Sequence, residues 1–388
     1  MTEKQSTNPE AVIGFEALYE SNTKCHKGVM WKDSVARYSL NAMKNSSKLE
    51  NELKTGQYKE RPTVQFKVKF PKERDILSIA YRDRIYQRSL NDSVVYPEMI
   101  RHFIYENCAC QKGRGTDFAR ELLKKRLREY FRRNGTDGYV LQIDIKGYYP
   151  NMRHEVAKET FRKYLDDWSY DAVVRILDEQ YKGDIGFNPG SQIIQIAGIS
   201  VLNDIDHYIK ERLRIRAYVR YMDDLILIHP DKDYLQACRE EIGKKLDDLG
   251  FQYNDKKTRI YRITDGIKFL GFTWKLTDKG KVISLIDPKN VKARRKKLVR
   301  LIHMEKDGRI KKGKVSECQE SWKAHALQKA KKSHNRKKGI AQTHRMMMRM
   351  DEFVKSVWEE DYEHDQKKVK NVDRRVSQTG AGNGGRNQ

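Results

Sequence analysis

The chain has 388 residues, with 79 Lys and Arg against 54 Asp and Glu, and a formal net charge of +25. It contains no run of about 20 apolar residues, so a membrane span is not expected, and the polar start Met1-Thr2-Glu3-Lys4-Gln5 lacks an apolar leader core, so a cytoplasmic protein is. The 38% hydrophobic content, helped by 21 Tyr and 12 Phe, suffices for a packed core in two or three sub-domains, and the positive surplus points to nucleic acid, because neutralising phosphates releases counterions.

The stretch to about Tyr58 is polar and predicted helical, with apolar positions at Phe15, Leu18 and Tyr19 and again at Leu40, Met43, Leu49 and Leu53. Thr63 to Phe70 alternates, with Val64, Phe66, Val68 and Phe70 on one side and lysines on the other, which predicts a half-buried strand. Pro71-Lys72-Glu73-Arg74 reads as a turn, and Ile76 to Asn91 mixes apolar residues with Arg82, Arg84 and Arg88. Cys108 to Thr116 is a loop around Lys112 and Arg114, and Asp117 to Arg132 is a basic helix closed by Gly135, Asp137 and Gly138. Tyr139 to Ile145 is an apolar strand that ends in an acid, Asp144, followed by Lys146-Gly147-Tyr148-Tyr149-Pro150 and a helix to about Leu165. A loop spans Gly186 to Gly190, and Ile193 to Arg212 is predicted helical. Ala217 to Ile228 is apolar except for Met222-Asp223-Asp224. Lys232 to Leu249 is an amphipathic helix capped by Gly250. Short strands are predicted at Phe251 to Tyr253 and Arg259 to Ile263, then a turn and strand over Gly266 to Phe272. This order suits an antiparallel sheet with helices on one face, an α+β layer. After Pro288 come basic runs at Arg294 to Lys297, Lys311 to Lys314 and Lys329 to Lys338, interleaved with Trp322, His325, Met346 to Met348, Phe353 and Trp358, which predicts a basic helical sub-domain before a disordered tail. The five cysteines are sparse, and Cys108 with Cys110 lacks the second pair of a structural zinc site, so reduced thiols are expected.

Asp144, Asp223 and Asp224 carry the chemistry. Each ends or interrupts an apolar strand, where an unpaired carboxylate is costly, and the adjacent pair also repels itself. Divalent cations answer both costs: Mg2+ takes oxygen ligands, and two such ions would stabilise the attacking and leaving oxygens of a phosphoryl transfer. Taken alone, Met222-Asp223-Asp224 is also the composition of an ordinary hairpin turn, and Asp144 could cap the helix that follows; the flanking apolar strands weigh against the first and Lys146 to Pro150 against the second.

Tyr221-Met222-Asp223-Asp224 within Arg220 to Ile228 resembles the signature hairpin of reverse transcriptases. Asp144 to Tyr149 resembles the family's first palm motif, Gly190 to Leu202 its second, Lys257-Thr258 its lysine region and Gly266 to Phe272 its primer grip. Pro71 to Arg74 with Tyr81-Arg82-Asp83-Arg84 resembles the fingers of bacterial retroelement enzymes, and Ser321-Trp322 with His325 their thumb. The resemblance implies a right-hand polymerase. Residues 1–60 would be a helical extension, 61–138 fingers, 139–280 palm with part of the fingers at about 155–190, 285–360 a basic thumb, and 361–388 a disordered tail.

It further implies two Mg2+ ions on Asp144, Asp223, Asp224 and the backbone carbonyl of Ile145. Tyr149 would be the steric gate against a ribose 2′-OH, though taken alone it also reads as a core aromatic. Arg74 and Lys72 would hold the triphosphate, with bidentate geometry favouring Arg74. Lys257 would protonate the pyrophosphate, with Lys256 as a rival, and Gly190 would let the backbone approach the nucleotide. Arg82 and Arg84 would meet the template or brace the fingers. Gly271 in the primer grip, and Arg295, Lys296 and Trp322 in the thumb, would meet the duplex, unless Trp322 packs the thumb core. Gln195 stands where many relatives have Pro and resembles the enzymes of diversity-generating retroelements, although those usually have Ser before it and this chain has Ile194. Antiphage-defence and unclassified bacterial enzymes are competing sub-families. No RNase H acid set follows the palm, and the absence of an HNH Cys/His pattern disfavours a full-length intron protein. The expected partners are an RNA template, a DNA or RNA primer, dNTPs and a cognate structured noncoding RNA, with an accessory protein or a second copy left open. Two other classes compete: an RNA-binding splicing cofactor on the same fold, and an RNA-directed RNA polymerase, against which Tyr149 argues.

Overall fold

The structure, a computed structural model, describes residue 4 and residues 6–68, 73–188, 190–327 and 345–359. The chain divides into two compact units. The first comprises Met1–Asp265 with Asp278–Gly280, and the second Gly266–Thr277 with Lys281–Gln388.

Four helices open the first unit: α1 (Glu10–Ile13), α2 (Phe15–Cys25), α3 (Asp33–Leu40) and α4 (Ala42–Lys54). Val12, Leu18, Val35 and Leu49 are buried, one apolar stripe per short helix. Leu40 and Met43, expected on an apolar face, are exposed; they flank the α3–α4 turn at Asn41, where neither helix presents its stripe to the core.

β1 (Val64–Val68) pairs antiparallel with β2 (Arg74–Ser78), placing Phe66 opposite Ile76 and Val68 opposite Arg74. The expected half-buried strand is corrected here: Val64, Phe66 and Val68 are 64%, 48% and 38% exposed. The hairpin is a two-stranded ribbon, and among its described residues only Leu77 is buried, so alternation creates an apolar face without a layer over it. Arg74 is the first residue of β2 rather than part of a turn, and Lys72 and Phe70 lie outside the described residues.

α5 (Tyr81–Leu90) runs into a π-helical turn, Asn91–Val95, and then α6 (Tyr96–Ile100); α7 (Thr116–Asn134) ends at Gly135, whose φ is 61°. β3 (Tyr139–Asp144) is followed by α8 (His154–Tyr164), α9 (Asp167–Gln180), α10 (Gln192–Ser200), α11 (Asn203–His207) and a second π-helical turn, Tyr208–Arg212. The single helix expected over 193–212 is thus broken, at the point where the Ser200 hydroxyl donates to the Ile196 carbonyl, a back-bond that bends helices. β4 (Ala217–Tyr221) and β5 (Asp224–His229) form a hairpin; α12 (Lys232–Asp248), capped by Asp231 and burying Leu235, Cys238, Ile242 and Leu246, leads to β6 (Arg259–Arg262). The strand expected over 251–253 reduces to one bridge between Tyr253 and Ile145.

The four strands form one antiparallel sheet in the order β4-β5-β3-β6. Alternation sends Leu141, Ile143, Tyr218, Arg220, Leu225 and Leu227 to the face packed against the helices, and Val140, Asp144, Asp224 and Ile226 to the other. This is an α+β architecture.

The second unit begins with β7 (Ile267–Phe269), β8 (Phe272–Leu276) and β9 (Val282–Ile286), a three-stranded antiparallel sheet in that order. α13 (Pro288–Lys306), α14 (Lys314–Leu327) and a helical stretch at 345–359 follow. Leu298, Ile302, Val315 and Met350 are its buried centre, with Trp322, Phe353 and Trp358 packed around them. The basic run at 329–338 and the expected tail at 361–388 lie outside the described residues. No helix among the described residues is long and apolar enough to cross a membrane.

Candidate active site

Register brings the acids together. β3 and β5 pair so that Asp144 stands opposite Asp224, and β4 pairs Tyr221 with Asp224, which leaves Met222 and Asp223 as a two-residue turn. Met222 has φ 56°, a conformation that costs a side-chain-bearing residue roughly 1–2 kcal/mol and that two-residue hairpins usually assign to Gly. Burial, and then the charges of Asp223 and Asp144, push the Asp224 carboxyl up to about 7, with Lys257 pulling the other way. The Lys257 ammonium donates to Asp144 Oδ2 at 2.7 Å, and that bond raises the lysine's own pKa. Both candidate lysines are exposed, and Lys257 is the one that meets Asp144. The buried Thr258 secures the end of β3: its hydroxyl accepts from the Asp144 amide at 3.2 Å. The Asp144 carbonyl and the Lys146 amide bond to residues 254 and 252, so the Ile145 carbonyl faces the opposite, β5 side of the strand.

Every donor here is oxygen, the set that Mg2+ takes. Among the described residues no three His, Cys, Asp or Glu side chains stand grouped as ligands of one ion; Asp144 is turned onto Lys257 instead. By chemistry the residues still fit a hard cation, because added positive charge relieves the repulsion that raises Asp224. Such an ion competes with Lys257 for Asp144.

The turn is held from beneath by a residue to which sequence reasoning gave no role. Arg220 and Asp206 are both wholly buried. The guanidinium binds the carboxylate with Nε to Oδ1 at 2.7 Å and Nη2 to Oδ2 at 2.6 Å, then spends Nη1 on the Met222 carbonyl at 3.1 Å and Nη2 on the Ile199 carbonyl at 2.8 Å. Tyr218 donates to the same carboxylate at 2.7 Å. The arginine therefore ties the strained turn to α10 and α11. The available signal was a charge inside the apolar strand Ala217–Tyr221 and an acid inside an apolar helical stretch, since buried charges come in pairs.

Tyr149 is half-buried, its hydroxyl packed over Gly198, where a Cβ would collide with it, and burial holds its phenol well above the usual range. Gly190 abuts β2 so closely that a Cβ would drive into the Leu77 carbonyl oxygen; the glycine is required for packing there, whatever approaches from the other side. Gln195 is exposed on α10. Arg74 lies on the exposed hairpin.

Arg82 is turned inward: Nη1 meets Glu52 at 2.5 Å, Nη2 donates to the Lys59 carbonyl at 2.8 Å, and the guanidinium lies over the Tyr58 ring. Arg84 is exposed. In the second unit, Gly271 completes the β7–β8 turn with Leu270, both at positive φ, 85° and 48°. Lys296 is exposed, Arg295 lies over Phe353, and Trp322 packs against the helical core beneath the Arg294 guanidinium.

The loop expected over 108–116 has a role that the sequence did not suggest. Glu106–Cys108 runs parallel to β4, with the Cys108 amide donating to the Arg220 carbonyl at 3.0 Å and the Arg220 amide to the Glu106 carbonyl at 3.0 Å. It carries Cys110 to the Met222-Asp223 turn, Sγ to Met222 Sδ at 3.8 Å. All five cysteines are free thiols.

The family model "Reverse transcriptase (RNA-dependent DNA polymerase)" matches residues 71–274. The putative COX1/OXI3 intron 1 protein of Saccharomyces cerevisiae (strain ATCC 204508 / S288c) is 21% identical over 300 residues, 60% of this chain and 34% of that protein. Among solved structures, telomerase from Candida albicans in complex with a TWJ fragment of telomeric RNA is 14% identical, with TM-score 0.43, over 65% of this chain and 52% of that one. Apo telomerase from Candida tropicalis, truncated from its C-terminal domain, is also 14% identical with TM-score 0.43, over 60% and 58%. The chain thus spans about a third of the curated relative's length. The matched segment covers just over half of the chain and runs through every strand that carries an aspartate of the site, so the chain belongs to the reverse transcriptase family, the RNA-dependent DNA polymerases.

Proposed function

We propose that the chain adds deoxynucleotides to a primer 3′-OH on an RNA template. The observation that carries the reading is the register of β3 on β5, which sets Asp144 opposite Asp224 beside Asp223. These carboxylates and the Ile145 carbonyl would hold two divalent ions, which would supply charge stabilisation to the attacking and leaving oxygens. Lys257, already beside the acids, donates a proton to the departing pyrophosphate. The Tyr149 ring fills the space of a ribose 2′-OH and so selects dNTPs. Arg74, on the exposed hairpin, and Lys72 grip the triphosphate, while Gly190 and Gln195 border the nucleotide. Positioning and charge stabilisation do most of the work, as in other phosphoryl transfers.

We assign residues 61–138 to fingers, the β3–β6 sheet to a palm and the helical part of the second unit to a thumb. Arg84 meets the template backbone, whereas Arg82 braces the fingers through Glu52. Gly271 approaches the primer end. Lys296 belongs to a stripe on α13 with Lys289, Lys292 and Arg300, all exposed and spaced three or four residues apart. The stripe is about 16 Å long at 1.5 Å per residue, enough to follow a few phosphates of a duplex. Arg295 adds to it, and Trp322 supports it from the core.

The setting we propose is a bacterial or phage retroelement with a cognate structured RNA, in sequence diversification or antiphage defence; Gln195 in place of the usual Pro supports the former. A second reading, an RNA-binding splicing cofactor, is favoured by the likeness to the intron 1 protein. One assay separates them: purified chain, Mg2+, an RNA template with annealed primer, and dNTPs or rNTPs in parallel. Extension with dNTPs that disappears in Asp223→Asn with Asp224→Asn is expected. Extension with rNTPs alone would refute the reading, and intron-RNA binding without any extension would favour the cofactor.

A further inference from the structure

Gly198 is buried in α10, between the equally buried Ala197 and Ile199. A glycine inside a helix is destabilising relative to Ala, and this one has no left-handed φ to require it. Space is what requires it. A Cβ at position 198 would stand 2.5 Å from the Tyr149 hydroxyl oxygen, 2.9 Å from its Cζ and 3.1 Å from its Cε1. The three nearest atoms thus all belong to one group, the end of the Tyr149 phenol. The helix is not free to retreat from it. The Gly198 carbonyl accepts from the Tyr148 hydroxyl at 2.7 Å, and the Ile199 carbonyl from Arg220 Nη2 at 2.8 Å. Both donors are buried, one just after β3 and one in β4, so two successive carbonyls tie α10 to the sheet that carries the aspartates. The ring has no such tie. Among the described residues nothing hydrogen-bonds the Tyr149 hydroxyl, and Tyr148 meets the ring at a steep angle, centroids 5.7 Å apart. Tyr149 is half-buried, so its free side is the one open to solvent and its floor is Gly198.

We propose that Gly198 is a specificity-determining residue: its missing side chain sets the depth at which the Tyr149 ring sits, and so how strictly the site discriminates the sugar of the incoming nucleotide. A methyl group at 198 needs about 1 Å more room to reach an ordinary contact of roughly 3.5 Å. With α10 tied at both carbonyls, the ring supplies that room by rising toward its open side. A ribose 2′-OH meets the raised ring before a 2′-hydrogen does, so the loss falls first on rNTPs. Gly198 touches no nucleotide in this arrangement and acts through Tyr149 alone.

The inference rests on the reading of Tyr149 as the sugar gate, and its test separates the two. Four full-length chains are compared: the parent, Gly198→Ala, Tyr149→Ala and the double variant. Single-nucleotide insertion on an RNA template gives kcat and KM for a dNTP and the matching rNTP. Tyr149→Ala is expected to admit rNTPs. Gly198→Ala is expected to raise the preference for dNTPs about tenfold, the lower end of what one methylene is worth in a pocket, chiefly through the KM of the rNTP. In the Tyr149→Ala background it should leave the ratio unchanged, because no ring remains to be moved. Denaturant melts read the seat without catalysis. Gly198→Ala should lower the midpoint of the parent and raise that of Tyr149→Ala, where the collision is gone and Ala is the better helix former. Tyr149→Phe, which removes the atom nearest the Cβ, should shrink the penalty. A midpoint change of the same sign in both backgrounds overturns the seat. A dNTP preference that Tyr149→Ala alters but Gly198→Ala leaves unchanged or relaxes overturns the role of Gly198 in selection. A preference indifferent to Tyr149→Ala, with the midpoint reversal intact, overturns the gate and the selection role with it, and shows Gly198 to be a packing residue. Absence of insertion by the parent overturns the polymerase reading itself.

Discussion

Arg220 offers the sharpest test of how the site is held. Replacing it by Met leaves the Asp206 carboxylate without a countercharge in a place with no solvent contact and strips the donor from the Met222 carbonyl. Breaking a wholly buried pair from one side costs about 3–5 kcal/mol, a large part of the ~5–15 kcal/mol that holds a typical domain together. Lost stability alone could explain lost activity, so a second variant is needed. Combining Arg220→Met with Asp206→Leu and Tyr218→Phe removes the charge pair and the hydroxyl that shares it, leaving no buried unpaired charge and only the Met222 and Ile199 carbonyls short of a donor, and such apolar replacement of a buried pair is often neutral. Denaturant melts should show the single variant weakened by about 3–5 kcal/mol and the triple variant largely restored. Single-turnover insertion should stay about 100-fold down in both, because a displacement of about 1 Å near the chemistry costs that much and nothing in the triple variant clamps the positive-φ turn. A triple variant with restored stability and wild-type insertion would refute the claim that Arg220 positions Asp223 and Asp224.

Three further outcomes follow from particular contacts. Lys257→Ala should lower kcat by about 100-fold, within the usual reach of a general acid, while the Mg2+ midpoint moves to lower concentration because no ammonium competes for Asp144; an unmoved midpoint would count against the competition. Burial pushes the Glu60 carboxyl up to about 7, only partly offset by the nearby Gln180 amide and by the hydrogen bond that Gln87 donates at 3.1 Å. A raised carboxyl favours folding while protonated and loses that advantage as pH rises from its unfolded value near 4.5 to about 7. Glu60→Gln should therefore melt like the parent at pH 4.5 and be more stable at pH 8, by roughly 1–2 kcal/mol once part exposure is allowed for; a gain of equal size at both pH values would refute the assignment. Lys292→Ala with Lys296→Ala should reduce the salt slope of RNA–DNA duplex binding, followed by fluorescence anisotropy, by about 1–2, and an unchanged slope would remove the α13 stripe from the interface.

The parts of this protein legible in its sequence are those whose signal is local. α7 and α12 announce themselves through apolar spacing and terminal glycines, and the three aspartates through their contrast with flanking apolar strands. Partners far apart in sequence were not legible. Arg220 and Asp206 each look like an ordinary charge until β4 is laid beside α10 and α11. Lys256 and Lys257 are equivalent on paper, and only the bend after Tyr253 decides which ammonium meets Asp144. The β1 pattern misled for a different reason. Alternation reports that a strand has an apolar face, and says nothing of whether a layer lies over it; here the ribbon stands exposed. Gly190 shows the same ambiguity, since the need for a missing Cβ was visible but not that the Leu77 carbonyl imposes it.

The cations of this chain divide by what they touch, and the division explains why Arg occupies position 220. Arg82, Arg88, Arg126 and Arg220 are committed to carboxylates inside the first unit, whereas the α13 stripe is exposed to solvent. The formal surplus of +25 already subtracts the acids; what pairing withdraws is a guanidinium free to grip a phosphate, and the stripe keeps its cations exposed. A committed arginine also does what no apolar side chain can. The Met222 carbonyl, turned by a positive φ, needs a donor from below the sheet, and Ile199 presents a second carbonyl to the same space. A planar guanidinium satisfies both while anchoring on Asp206 with its remaining edge. Lys would keep the charge but lacks the fork, so Arg220→Lys should retain more stability than Arg220→Met while losing nearly as much insertion rate. Equal rates for Arg220→Lys and the parent would mean that charge, not the directed bond to Met222, holds the turn.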